Sequence, residues 1–299
     1  MALNLREYVG TVRVTDGATG TQLAKLGLSA GSASELWNVT NPSAVEQVAR
    51  NYIKAGSDIV LTNTLCANRY MMSAHGLTGR TAELAEAGVL VARRAAAAAA
   101  GRDVKVFASL GPTGKIVMTE EVKAEDLLAA FAESAEALAF GGADAIVIET
   151  FNELEEARLA LQACKCATDL PVIVCMTFAS GPDKTRTMMG NSPQELAKMA
   201  KAGGADAIGA NCGAGPETYV KVAQMLRDAS DLPIWIKPNA GLPTVGKDGK
   251  THFPMAPAEF ASYVPALLAA GANFIGGCCG TGPGHIEALR AEVDKLIAK

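Results

Sequence analysis

Aromatic residues are few in this sequence, with 2 Trp, 5 Tyr and 8 Phe among 299 residues. A recognition surface built on aromatic rings is therefore not expected, and the abundant Gly and Ala suit helices packed closely on a sheet. Positive charge is not in excess: 27 Lys and Arg stand against 31 Asp and Glu, a net charge of −4, and no basic stripe is present. Phosphate contacts need clustered Lys and Arg, so a nucleic-acid partner is excluded. No stretch approaches the roughly 18 uninterrupted apolar residues of a membrane span. The Ala95–Ala100 run is too short and too small-sided. The first residues, Met1-Ala-Leu-Asn-Leu-Arg-Glu7, carry charge early and lack an apolar h-region, so no signal peptide is read there and a cytoplasmic location is expected. A disulfide framework is also missing. Seven cysteines is an odd number, and two are adjacent, which suits a reduced protein with metal-binding or structural thiols.

What is present is alternation. Short β-branched runs are followed by longer segments of helical period. Strands are predicted near Val12–Asp16, Asp58–Thr64, Val104–Leu110, Ala145–Glu149, Pro171–Thr177, Ala207–Asn211, Pro233–Lys237 and Asn273–Gly277. Helices are predicted near Ser43–Ala55, Thr81–Ala100, Ala124–Phe140, Glu153–Ala167, Pro193–Ala202, Pro216–Asp228, Ala256–Ala270 and Pro283–Ile297. Pro42, Pro193 and Pro283 mark first turns. Gly56, the pairs Gly141-Gly142 and Gly203-Gly204, and Gly271 supply left-handed stops. Gly-Ala-Asp-Ala-Ile occurs at 142–146 and again at 204–208, the echo of a repeated βα unit. The expected fold is α/β, a (β/α)₈ TIM barrel forming a single domain over residues 1–299. An open doubly wound sheet would want a Gly-rich phosphate loop after its first strand. Asp16-Gly-Ala-Thr-Gly-Thr21 is neither GxGxxG nor a Walker A sequence.

Chemistry in such barrels sits where strands end. Cys212 follows the sixth predicted strand and Cys278-Cys279 the eighth, so three sulfurs can converge on one rim. Adjacent strand residues point to opposite faces, so the pair can share an ion only if the backbone leaves the strand, which Gly276, Gly277 and Gly280 permit. Three protein ligands with one open position is the pattern of a catalytic zinc. Such a site suits a fourth, incoming thiol, whose free pKa of about 8.5 would otherwise keep it protonated at neutral pH. Read without a metal, the same residues are small buried side chains or a strained vicinal disulfide.

Asp16-Gly-Ala-Thr-Gly-Thr-Gln-Leu23, Thr62-Asn-Thr64, Ile148-Glu-Thr150, Ala210-Asn-Cys212, Pro238-Asn-Ala-Gly241 and Gly276-Gly-Cys-Cys-Gly-Thr281 together resemble, in order, the motifs of the homocysteine S-methyltransferase family. Leu110-Gly-Pro-Thr-Gly114 and Pro238-Asn-Ala-Gly241 look most like the homocysteine-binding module of cobalamin-dependent methionine synthase. The resemblance implies Cys212, Cys278 and Cys279 as zinc ligands, and Asp16 and Gly17 as the border of the amino acid end of homocysteine. It implies Glu149 as the carboxylate for the substrate's ammonium and Asn239 as an amide beside the metal that fills its open position before substrate binds. Each role matches the chemistry of its group. Taken alone, Glu149 reads equally as a structural salt bridge and Asp16 as a turn or cap.

The pattern is not followed everywhere. Family members often continue Asn-Thr-Phe after the second strand, whereas Asn63-Thr64 is followed by Leu65-Cys66. Cys66 is read as a packing residue in preference to a fourth thiol near the metal, and Cys164, Cys166 and Cys175 as packing residues. His75, His252 and His285 fall on no motif, and the sequence holds no cobalamin-binding Asp-x-His-x-x-Gly. The methyl group is therefore expected from outside this chain. The donor could be methylcobalamin on a separate corrinoid protein or a small methylonium compound. Two alternatives stay open: a corrinoid-linked methyltransferase or demethylase acting on a different thiol or methylated substrate, and a non-catalytic zinc- or thiol-binding module.

Overall fold

Eight short, buried, largely β-branched runs decide the architecture. In the computed structural model, which describes residues 3–246 and 251–298, these runs form β1 (Arg13–Val14), β2 (Ile59–Leu61), β3 (Lys105–Leu110), β4 (Ala145–Phe151), β5 (Val172–Met176), β6 (Ala207–Cys212), β7 (Ile234–Pro238) and β8 (Phe274–Ile275). The ends of the expected 1–299 domain and of the Met1–Glu7 reading, Met1, Ala2 and Lys299, lie outside the described residues, as do 247–250. All eight strands are parallel and pair in the order β1-β8-β7-β6-β5-β4-β3-β2. The result is a nearly closed (β/α)₈ barrel. Helices Pro42–Lys54, Thr81–Ala97, Ala124–Phe140, Leu154–Ala167, Pro193–Ala202, Pro216–Ala229 and Pro283–Ile297 surround it.

One repeated device closes the seams. The residue just before each even-numbered strand is Asp58, Asp144, Asp206 or Asn273. Its backbone N–H donates to the preceding odd strand, to Val14, Val106, Val172 and Ile234 respectively, and its side-chain oxygen accepts from that same residue's N–H at 2.7–2.9 Å. Each of these side chains also faces a cation: Arg290 and Arg102 at Asp58, Arg93 at Asp144, Lys165 at Asp206 and Arg227 at Asn273. At the β1–β2 seam, Asp16 adds a second staple by accepting from the Leu61 N–H at 2.7 Å.

The barrel interior is apolar below and polar above. Phe107, Val147 and Trp235 lie in the floor with Phe274, and the N-terminal helix Leu5–Val9 plugs them from beneath through Leu5 and Val9. Two residues further along the same strands come Ser109, Glu149 and Lys237, so the same alternation that fills the floor points polar groups at the upper rim.

The expected stops hold: Gly56, Gly142, Gly204 and Gly271 all have positive φ. Two expectations need correction. The predicted helix Ala256–Ala270 is two helices, Pro257–Ala261 and Val264–Ala269. Pro265 lacks the N–H that would bond back into the first helix, and is accommodated only in a new first turn. Cys164 and Cys175 are buried as expected, but Cys166 is exposed, on the outer face of its helix.

Candidate metal centre and substrate cavity

Cys212 ends β6 with φ 63°, a left-handed backbone that a side chain rarely adopts. It is held there from below. The Tyr219 hydroxyl, fully buried, lies 2.9 Å from the Asn211 carbonyl oxygen and 2.7 Å from that of Cys212. Asn211 in turn ties β6 to β4: its Oδ1 accepts from the Thr150 N–H at 2.8 Å and its Nδ2 donates to Thr150 Oγ1 at 2.7 Å. Thr150 is itself left-handed, at the register shift near the end of β4.

On the other side, β8 stops at Ile275 and the chain leaves the strand at Gly276 and Gly277. Neither glycine has room for a Cβ, which would overlap Thr15 and Thr281 respectively. Gly280 (φ 81°) turns the chain back. Hydrogen bonds from Cys278 N to Pro238 O (2.8 Å) and from Ala240 N to Cys279 O (2.9 Å) pin the intervening turn on β7. Both cysteines can thus face one point. The Cys212 and Cys279 sulfurs are 3.9 Å apart, and all three, with Cys278, lie within 4.8 Å of one another. Sulfurs about 2.3 Å from a tetrahedral ion sit about 3.8 Å apart, so the spacing suits zinc.

The electrostatics suit a cation as well. Hydrogen bonds from Cys278 and Cys279 hold the Cys212 thiol below its ordinary value, and contact with Cys212 pushes the Cys278 and Cys279 thiols up. Asn239 lies against Cys212, and its Nδ2 donates to the Gly213 carbonyl at 3.1 Å. Its Oδ1 is buried and has no hydrogen-bond partner. A buried amide oxygen without a partner, on a residue next to Cys212, has the chemistry of a weak oxygen ligand.

A cavity of about 220 Å³ opens beside the sulfurs, lined among others by Gly17, Thr62, Ser109, Glu149, Lys237, Cys278 and Cys279. Glu149 is buried. It accepts from Ser109 Oγ at 2.5 Å and from Asn211 Nδ2 at 3.2 Å, and pairs with no cation among the described residues. Burial pushes its carboxyl above the ordinary range, against the pull of Lys237 and Ser109. Asp16 is placed differently from Gly17. Its carboxylate sits behind the wall, with Oδ1 2.5 Å from Lys237 Nζ and Oδ2 on the β1–β2 seam. Cys66 lies half-buried on the cavity wall but outside the sulfur trio, and its thiol is pushed up to about 12 by burial and by Glu35.

Sequence reading missed Lys237. The run Ile234-Trp-Ile-Lys-Pro238 is buried throughout, and a charge at an inward position of such a strand must be paired, which was the available signal. His285 is structural: its ring nitrogens engage the Gly282 N–H and the Met255 carbonyl at the start of the last helix.

The sequence profile of the homocysteine S-methyltransferase family matches residues 13–293. The methionine synthases of Mycobacterium tuberculosis and Mycobacterium leprae are each 33% identical to this chain, over 95% and 94% of its length. The chain spans about a quarter of the length of these curated relatives, 25% and 24%. Among solved structures, the homocysteine methyltransferase MmuM of Escherichia coli in its metallated form superposes with a TM-score of 0.80 at 25% identity, covering 97% of this chain and 99% of that one.

Proposed function

Because the chain belongs to the homocysteine S-methyltransferase family, we propose that it methylates the sulfur of homocysteine to give methionine at a zinc ion held by Cys212, Cys278 and Cys279. The observation that carries this reading is the convergence of three sulfurs from β6 and the turn after β8. The metallated form of the similar Escherichia coli enzyme supports it. Zinc, when bound there, would take the acceptor sulfur as its fourth ligand and keep it unprotonated near neutral pH.

The remaining work falls to the chain itself. Glu149 receives the ammonium of the amino acid, and Ser109 and Asn211 hold that carboxylate in place. Gly17 and, through Lys237, Asp16 border the amino acid end. Asn239, next to Cys212, would offer the ion a weak oxygen donor in the absence of substrate. The sulfur then attacks the donor's methyl carbon in line: a C–S bond forms, and the bond from methyl to donor breaks with its electron pair leaving on the donor. The methyl donor is external, a methyl-corrinoid protein or a small methylonium compound. Likeness to methionine synthases favours the corrinoid. Free thiols at the centre of the site imply a reducing compartment, the cytoplasm. No described helix is long and apolar enough to cross a membrane.

The test is a donor screen with homocysteine, including methylcobalamin, on protein of measured zinc content. One zinc per chain is expected, with methionine formation lost on chelation and restored by zinc. Full turnover by metal-free protein would sink the proposal.

A further inference from the structure

Lys237 is the only buried lysine or arginine among the described residues. Its ammonium has three donors, and one is taken by Asp16 at 2.5 Å. Asp16 reaches it from behind the wall, where its other oxygen is committed to the Leu61 N–H at 2.7 Å. No other hydrogen-bond partner of Lys237 is present among the described residues, and the side chain forms part of the cavity wall. Stability alone is a weak reason for such a group, because a buried ion pair is often matched by apolar residues of similar volume. On the same wall, Glu149 has only neutral donors for hydrogen-bond partners. The cavity therefore presents one carboxylate without a salt-bridge partner and one ammonium with donors to spare, beside the sulfurs. An α-amino acid carries the complementary pair of charges on a single carbon.

We propose that Lys237 receives the carboxylate of the acceptor amino acid while Glu149 receives its ammonium, so that the two together select a zwitterionic thiol over a simple one. The inference rests on the homocysteine reading and adds to it a residue that sets specificity. Asp16 then acts as a positioning residue, holding Lys237 at the wall.

Calorimetric titration of the zinc-loaded protein with L-homocysteine, and with 3-aminopropane-1-thiol as the analogue lacking the carboxylate, tests it. A charge-assisted contact of this kind contributes about 10- to 100-fold in affinity. The unmodified protein should prefer homocysteine by that factor. K237Q should lose it for homocysteine while changing affinity for the analogue by less than about threefold. D16N/K237Q, which removes both charges of the buried pair, should behave like K237Q. Equal affinities of the unmodified protein for the two thiols overturn the proposal without recourse to any variant, and so does an equal loss for both thiols in K237Q. Unmodified protein that binds the analogue but not homocysteine overturns this inference and the homocysteine reading together.

Discussion

At Tyr219, one hydroxyl serves two carbonyls on either side of a left-handed cysteine, which is how a local strain is made to hold a ligand still. Tyr219→Phe should cost about 1–3 kcal/mol of stability, since it takes the hydroxyl from the Cys212 carbonyl, while that of Asn211 keeps the Thr177 hydroxyl. It should also weaken zinc binding about 10-fold, the order found when groups supporting a ligand are removed. Competition with a chromophoric chelator measures the second effect, and unchanged zinc affinity would show that Cys212 holds its pose without the tyrosine. Glu149 carries a pH dependence whose sign follows from burial. Its carboxyl is raised, so it becomes neutral at a higher pH than an exposed glutamate and can then no longer pair with an ammonium. Affinity for L-methionine, which has the ammonium but no titrating thiol, should fall on acidification at a higher pH than an exposed carboxylate would set. Glu149→Gln should bind about 10- to 100-fold more weakly and without that fall. A wild-type profile that stays flat down to the ordinary range would remove the ammonium from Glu149. The sulfurs and Glu149 were legible because each stands at a strand end in a quotable motif. Lys237 was not, because its meaning depends on Asp16, 221 residues away, which only the closed barrel brings within reach.

Among the elements, the four acidic or amide staples explain why the Gly-Ala-Asp echo in the sequence is more than a repeated turn. In the two Gly-Ala-Asp copies, the second glycine of the preceding pair ends a helix, and the aspartate caps an odd strand within its first two residues and takes a cation from outside. Asn273 does the same work with an amide oxygen, which makes a prediction about chemistry and not only about charge. Asp144→Asn should cost less than about 1 kcal/mol, because an oxygen still accepts from Val106 and only a half-exposed ion pair with Arg93 is lost. Asp144→Ala should cost about 1–3 kcal/mol by leaving that N–H without its acceptor. Chemical denaturation of the two variants decides it, and equal losses would mean that the Arg93 pair, not the strand staple, is what matters. The eight strands and the main helices could be read from period and punctuation alone. The elements that escaped were short ones set by tertiary contacts. The helix Leu5–Val9 exists because the barrel floor accepts Leu5 and Val9, and the hairpin of Thr244–Val245 with Thr251–His252 is exposed throughout, so neither leaves a periodic mark.

For the molecule as a whole, the placement of the sulfurs on β6 and on the turn after β8 means that a bound ion would bridge two staves of the barrel across β7, without being part of the core. The apolar core runs unbroken between the strands and the helical shell, and the floor cluster lies below the polar rim. Removing zinc should therefore weaken the fold and not abolish it, unlike small domains whose metal is their core. A ligand at about 1,000 times its dissociation constant stabilises the native state by about 4 kcal/mol. A chain of this length unfolds with an entropy of about 0.6 kcal/mol per kelvin near its midpoint. The ratio places the loss of Tm on chelation at about 6 °C, with the far-ultraviolet circular dichroism spectrum unchanged below the transition. A Tm indifferent to chelation would mean that zinc is not held by these sulfurs at useful affinity. Collapse of the helical signal would mean that the barrel needs its metal to close, contrary to the seams that Asp58, Asp144, Asp206 and Asn273 already complete without one.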